Sequence, residues 1–256
     1  MRKVWYRFTS VSPQPPPDTS FAQPTQPSPV NTAVQRLRTD GRYIRFWNFA
    51  RRTALPGLAA GGTLYLAWAL LSVSIMSARE SWGCVCRADP RSFTETLPVS
   101  SDFAPGQLCA ATRVHLREGA RYEIEVAIPA AHAWLDGGPP PDGLEASPNG
   151  LINGPSAMMT VMAPFRRHWR QPWFKLMARV GEQGADVYAP DWRLVSSDQV
   201  YVYRAKITAN GTGPLFLYVN DGVPLGLTGW IYGNNHGTAR ITVRQISMEH
   251  HDVPAR

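Results

Sequence analysis

Three cysteines hold the most specific covalent chemistry in this 256-residue chain. Cys84 and Cys86 are two apart, so in an extended segment both face the same way and either can pair with Cys109. Which thiol is left over stays open at this level. A zinc site lacks its fourth ligand, since no His lies between Trp82 and Thr112. Other reactive constellations are sparse. There is no GxSxG elbow, no HExxH and no phosphate loop, and Gly154-Pro155-Ser156 lacks the nucleophile pattern. Glu123 and Glu125 alternate with apolar neighbours and read as solvated carboxylates rather than a catalytic pair. His250-His251 falls in the final tail, where a mobile end outweighs a transient metal contact. Arg166, Arg167, His168 and Arg170 surround Trp169 and form the one dense positive patch of the C-terminal part. Such a patch suits anionic headgroups or a polyanionic glycan, or it is a solvated loop. With no triad, metal pocket or paired carboxylates to name, the expected protein is not an enzyme.

The elements that position these residues begin with the charge distribution. The net charge is +7, and residues 1–53 hold nine Lys/Arg against two Asp/Glu, whereas the remainder holds seventeen of each. A nucleic-acid binder needs its basic residues on the folded part, so no nucleic-acid partner is expected. Residues 1–33 carry seven prolines among Ser, Thr and Gln, a mix too poor in packable side chains to order itself, and read as a disordered tail. A polyproline ligand is the lesser alternative, because no basic residue lies between Arg7 and Arg36. Residues 34–53 are a basic, aromatic juxtamembrane segment. From Ala54 to Met76 run 23 uncharged residues. At about 1.5 Å per residue they span a hydrocarbon core of about 30 Å with some tilt.

Arg42, Arg45, Arg51 and Arg52 precede this run, interleaved with Tyr43, Phe46, Trp47 and Phe49, while Arg79 and Glu80 after it cancel. The positive-inside rule then puts residues 1–53 in the cytoplasm and residues 77–256 across the membrane; the expected setting is a bacterial inner membrane with the C-terminal domain in the periplasm. The long lead and long apolar run argue for a retained signal-anchor over a cleaved signal peptide. Gly57 and Gly61 form a GxxxG through which two such helices can approach. Cysteines on the periplasmic side fit an oxidising compartment.

Residues 77–104 read as a linker containing the CxC. Beyond residue 105 the pattern has period two, the mark of strands with one wet and one dry face. It appears in Thr112–Arg117, Arg121–Ile128, Phe174–Val180, Val200–Ile207, Leu215–Val219 and Thr238–Ile246, with turn signals such as Glu118-Gly119 and Asn210-Gly211 between. Such spacing predicts an all-β, antiparallel β-sandwich over residues 105–247, with a short tail at 248–256. Two longer loops, His132–Ser156 and Gly222–Gly233, interrupt it.

The run Leu215–Asp221, then Tyr232-Gly233-Asn234-Asn235-His236-Gly237 and the strand Thr238–Ile246, resembles the calcium-dependent galactose-binding bacterial lectins of the PA-IL type and their galactose-binding-domain-like relatives. Gly119–Ile128 and Phe174–Gly181 match the family's earlier strands in order. The resemblance covers residues 105–247 and implies a jelly-roll-like sandwich. It also implies calcium held by Asp221, Asn234 and Asn235, with backbone carbonyls from the Asp221 loop and from His132–Asp136, and sugar hydroxyls filling vacant positions. One carboxylate with amide and carbonyl oxygens suits calcium, which takes six to eight hard oxygen ligands. Trp134 and Trp230, with Tyr232 nearby, are candidate platforms for a pyranose face, while Trp173 and Trp192 flank strands and read as core. The ten residues Gly222 to Ile231 lengthen the family's loop and put Ile231 in place of its Thr. Asn and Asp are also favoured in turns for local reasons, so these motifs have a purely structural reading as well. The expected function is a membrane-anchored, lectin-like domain binding a carbohydrate or glycan-containing partner. The alternative is an accessory subunit of a membrane assembly that has lost calcium and sugar binding.

Overall fold

Pro56 shapes the start of the long helix. A proline inside a helix lacks an N–H, and its ring crowds the carbonyl four residues back, here that of Arg52. In the computed structural model, which describes residues 41–93, 97–138, 142–183 and 186–246, helix α1 (Gly41–Phe49) passes into a π-type turn over Ala50–Ala54. There the Leu55 N–H donates to the Ala50 carbonyl, and the chain continues as α2 (Leu55–Ser81). The wider turn takes up the mismatch that the proline imposes. This helical stretch is long and apolar enough to cross a membrane. Residues up to Ala60 and those from Gly61 onward form separate packing units. The tail over 1–33, the Pro139–Pro141 run and His250-His251 lie outside the described residues.

In the second unit, one face of α2 packs on the folded domain. Ala69, Ser72 and Met76 are buried at helical spacing, while Leu64, Leu66, Leu70 and Leu71 point away and are exposed. The helix stops at Gly83, which takes a left-handed φ of +68° as the Gly83 and Cys84 N–H groups donate to the Glu80 and Arg79 carbonyls.

Twelve strands follow among the described residues, all paired antiparallel. They are β1 (Val99–Phe103), β2 (Ala110–Leu116), β3 (Arg121–Pro129), β4 (Trp134–Asp136), β5 (Leu144–Ser147), β6 (Gly150–Leu151), β7 (Leu176–Val180), β8 (Asp186–Tyr188), β9 (Arg193–Ser197), β10 (Val200–Thr208), β11 (Gly213–Val219) and β12 (Ala239–Ile246). Two short helices interrupt them, α3 (Ala157–Val161) and α4 (Thr228–Gly233). The sheets have orders β1-β12-β3-β10-β9, β2-β11-β7-β8 and β4-β5-β6. The two larger ones share a single hydrophobic core: Tyr122, Ile124, Val126 and Ile128 of β3 belong to the same cluster as Leu215, Leu217 and Val219 of β11.

All six predicted strands are present, with changes at the edges. Phe174 does not open β7, because its φ of +62° is left-handed and its N–H donates to the Asn220 carbonyl. The expected linker 77–104 supplies β1, an edge strand whose polar Val-Ser-Ser-Asp-Phe carries little period-two signal. The loop 132–156 contains β4 to β6, strands too short for periodicity to register. On the outer side of β3, Glu125 pairs with Arg204 at 2.7 Å and Glu123 pairs with Arg244. These two carboxylates are cross-strand ion-pair partners.

Candidate functional site

Asp221 leaves the end of β11, and four chain segments converge on it. Its Oδ1 accepts the Gly222 N–H at 2.6 Å and its Oδ2 accepts the Asn235 Nδ2 at 2.9 Å. The same Asn235 amide reaches the Pro105 carbonyl at 3.4 Å. Residues 134–136 join through a bridge in which the Leu135 N–H donates to the His236 carbonyl and the His236 N–H to that of Leu135. This closeness depends on two glycines. A Cβ on Gly237, at φ +105°, would stand 2.6 Å from the Ala133 carbonyl, and one on Gly106 would stand 3.1 Å from that of Tyr232.

Asp136, Asp221 and Asn235 are all buried. Burial, then the nearby Asp136 charge, raises Asp221 to about 7 against the pull of the Asn235 amide and the Gly222 N–H. Burial raises Asp136 to about 6. Among the described residues neither carboxylate has an ion-pair partner. The Oδ1 atoms of Asn234 and Asn235 are buried and receive no hydrogen bond. An orphaned buried oxygen costs roughly 1–3 kcal/mol, and two adjoining buried carboxylates repel, so a cation would relieve both. Hard oxygens from two carboxylates and two amides fit calcium. Asp136 was missed from sequence, where residues 132–136 entered only as a source of backbone carbonyl. The bridge to His236, a pairing across a hundred residues, is what turns its carboxylate into a candidate.

Asn220, beside Asp221, has a different use. Its Oδ1 accepts the His168 N–H, and its Nδ2 donates to the carbonyls of His168, Gln171 and Pro172. This half of the Asn-Asp motif shapes a loop.

The aromatic candidates separate by burial. Trp134 is fully buried against Phe103, with ring centroids 5.4 Å apart, so it offers no face to a sugar, contrary to the expectation from sequence. Tyr232 is buried, and its hydroxyl donates to the Val219 carbonyl at 3.0 Å. Trp230 is 71% exposed and is the one of the three with an open ring. Trp173 and Trp192 are buried, as expected of core residues.

The basic cluster is not one surface patch. Arg167 is buried, pairs with Glu80 at the end of α2, and lies 3.6 Å over the Tyr218 ring. Burial pulls its guanidinium down, but the Tyr232 and Tyr218 oxygens and Glu80 more than offset this and leave it raised. His168 Nε2 lies 2.8 Å from the Tyr218 hydroxyl, and burial followed by the Arg167 charge lowers it to about 4. Cys86 is bonded to Cys109, with Cα atoms 5.3 Å apart, and Cys84 is an exposed free thiol. Cys84 still belongs to the turn that closes α2, its N–H on the Arg79 carbonyl, so the same-facing geometry of an extended segment does not apply.

A cleft of about 950 Å³ lined by Phe93, Leu97, His115 and Glu182 contains none of Asp136, Asp221, Asn234 and Asn235. No family model, no curated protein and no solved structure matches this chain.

Proposed function

We propose that residues 99–246 form a β-sandwich that binds calcium and, through it, a carbohydrate, held at a bacterial inner membrane by the helix ending at Ser81. The N-terminus is cytoplasmic and the domain periplasmic. The observation that carries this reading is a buried carboxylate, Asp221, hydrogen-bonded to Asn235 and within reach of the charge of buried Asp136, in a segment where the amide oxygens of Asn234 and Asn235 are buried without a hydrogen bond. The sandwich reading rests on the single core shared by the two larger sheets. The lectin reading rests on the resemblance described above, with Trp230 as the ring available to a pyranose. Calcium there would supply a positive centre for vicinal hydroxyls. Asp221 and Asp136 would balance its charge, and Asn235 would hold the Asp221 side chain in place.

The test is thermal unfolding of the detergent-solubilised full chain in chelator and in millimolar calcium. Binding to the folded state alone raises stability by about 2.7 kcal/mol at a hundredfold excess over Kd. Asp221→Ala should erase that gain, and Asn234→Ala should reduce it less, because an amide oxygen offsets less charge. Galactosides are then added to the calcium-loaded protein. A melting curve indifferent to calcium rejects the cation site and leaves the accessory reading, in which the sheets serve protein contacts.

A further inference from the structure

The apolar helix and the folded domain overlap along the same length of chain. The Tyr65 hydroxyl donates to the Val161 carbonyl, the Tyr65 and Trp68 rings pack on Phe165 at 5.3 and 4.6 Å, and the Leu225 N–H donates to Ser72 Oγ at 3.0 Å. Two loop regions of the domain, around α3 and before α4, therefore sit beside residues 65–72, in the second half of the uncharged run Ala54–Met76. At that level the opposite side of α2 shows Leu64, Leu66, Leu70 and Leu71 outward. The loops are apolar there too. Met158 is 71% exposed, Val161 60% and Trp169 67%, with Leu225 and Leu227 also exposed. Arg170 lies over the Trp169 ring at 5.2 Å, a combination suited to the headgroup zone.

Helix length then forces a choice. If these loops stood in water, the helix from Tyr65 onward would stand there with them, leaving Ala54–Leu64, about 16 Å at 1.5 Å per residue, to cross about 30 Å of hydrocarbon. Borrowing length from the N-terminal side draws Arg51 and Arg52 into the apolar core, where a charged side chain is costly. Resting on the reading that α2 spans the bilayer, we infer that the loops bearing Met158, Val161, Trp169, Leu225 and Leu227 are seated in the outer leaflet. The domain is thus a part-embedded unit that lies on the bilayer, with its apolar loops as a second anchor, and its position relative to the membrane surface is fixed. Loops at this depth avoid unsatisfied backbone in lipid by packing on α2 and one another, as the hydrogen bonds to Tyr65 and Ser72 illustrate.

The experiment uses the full chain with Cys84→Ser, reconstituted in phosphatidylcholine and phosphatidylglycerol vesicles. Single cysteines at Met158, Val161 or Leu227 are labelled with an environment-sensitive fluorophore. Leu70→Cys on α2 and Lys206→Cys on β10 serve as references. Lipids carrying a spin label on the acyl chain should quench the 158, 161 and 227 probes by more than half, as they quench 70, and leave 206 bright. Quenching at 70 with none at 158, 161 and 227 overturns the seating while preserving the span. No quenching at 70 rejects the span itself, and the seating with it. Because all three loop positions are exposed in the fold, the substitutions leave packing intact, and an unchanged melting temperature verifies it.

Discussion

At the scale of single residues, Asn220 and Asp221 are buried neighbours of opposite character. Every polar atom of the Asn220 side chain is used in holding the 168–172 loop, whereas Asp221 is left ionisable beside Asp136. This arrangement has a pH signature. The folded values of about 7 for Asp221 and about 6 for Asp136 lie above the ordinary 3.8, so the folded state holds these protons more tightly than the unfolded chain. Their contribution to stability is fully present below about pH 4 and is lost as pH rises through 6 to 7, at about 1.4 kcal/mol for each tenfold difference in proton affinity between the two states. His168 runs the other way. Its value of about 4 lies below the ordinary 6.5, so its contribution is present above pH 6.5 and lost as pH falls toward 4. The two windows overlap, and the measurable quantity is the difference between wild type and Asp221→Asn. In chelator the wild type should lose stability relative to the variant between about pH 4 and 7. Calcium should reverse that trend, since protons and cation compete for the same oxygens. Parallel curves in chelator would show that Asp221 is not held protonated.

At the scale of elements, the end of α2 is locked to the domain by charge and by covalent bond. Glu80 receives Arg167 and Arg179, whose side chains are 1% and 2% exposed. Removing one member of such a group strands buried charge, so Glu80→Ala should cost about 3–5 kcal/mol in thermal or denaturant unfolding. Arg204→Ala, which breaks the exposed pair with Glu125, should cost no more than about 1 kcal/mol. Equal effects would mean that the Glu80 cluster is solvated. A few residues on, the Cys86–Cys109 bond joins the turn after α2 to the approach to β2. Closing a loop of about this size is worth roughly 3 kcal/mol on the chain-entropy model, so Cys86→Ser should destabilise by that order and Cys84→Ser should be silent. Non-reducing peptide mapping should find Cys84 alone alkylated without reductant, and a Cys84–Cys109 peptide would contradict the pairing.

At the scale of the whole molecule, the distribution of charge bears on orientation across the bilayer. Nine Lys/Arg before Ala54 and a balanced sequence after Met76 favour an outward C-terminus. An alkaline phosphatase fused at the C-terminus should therefore be active, and a reporter that functions only in the cytoplasm should be silent there. The reverse pair of outcomes would place the cluster around Asp221 in a compartment poor in free calcium and remove the reason for it. The neutral sum of Arg79 and Glu80 changes meaning once the fold is known, because Glu80 is used inside the domain and only Arg79 remains as a flanking charge.

What the sequence determined by itself was local or periodic. Period-two alternation located β2, β3, β7, β10, β11 and β12; β2, β3 and β12 have one face on the core and one toward water, whereas β7 and β11 are buried on both. The uncharged run located α2, because length and absence of charge are properties of a single segment. Cysteine count and compartment limited the disulfide to two choices. Tertiary structure decided between them, since Cys84 remains in the exposed turn that closes α2 while Cys86 is buried and bonded to Cys109. It also moved Arg167 and His168 from a supposed surface patch onto Tyr218, and withdrew Trp134 from the candidate ligand platform into the core. It added Asp136, which the bridge between Leu135 and His236 brings close enough for its charge to act on Asp221. Whether a charged or aromatic side chain faces water depends on what another segment places over it. Phe216, Tyr218 and Arg179 are buried on the side of the sheet where alternation predicts exposure; Glu80 meets Arg179 and Arg167 lies over Tyr218, from segments apart in sequence. Alternation along one strand records its own two faces, and no local pattern encodes the element that comes to lie on the second.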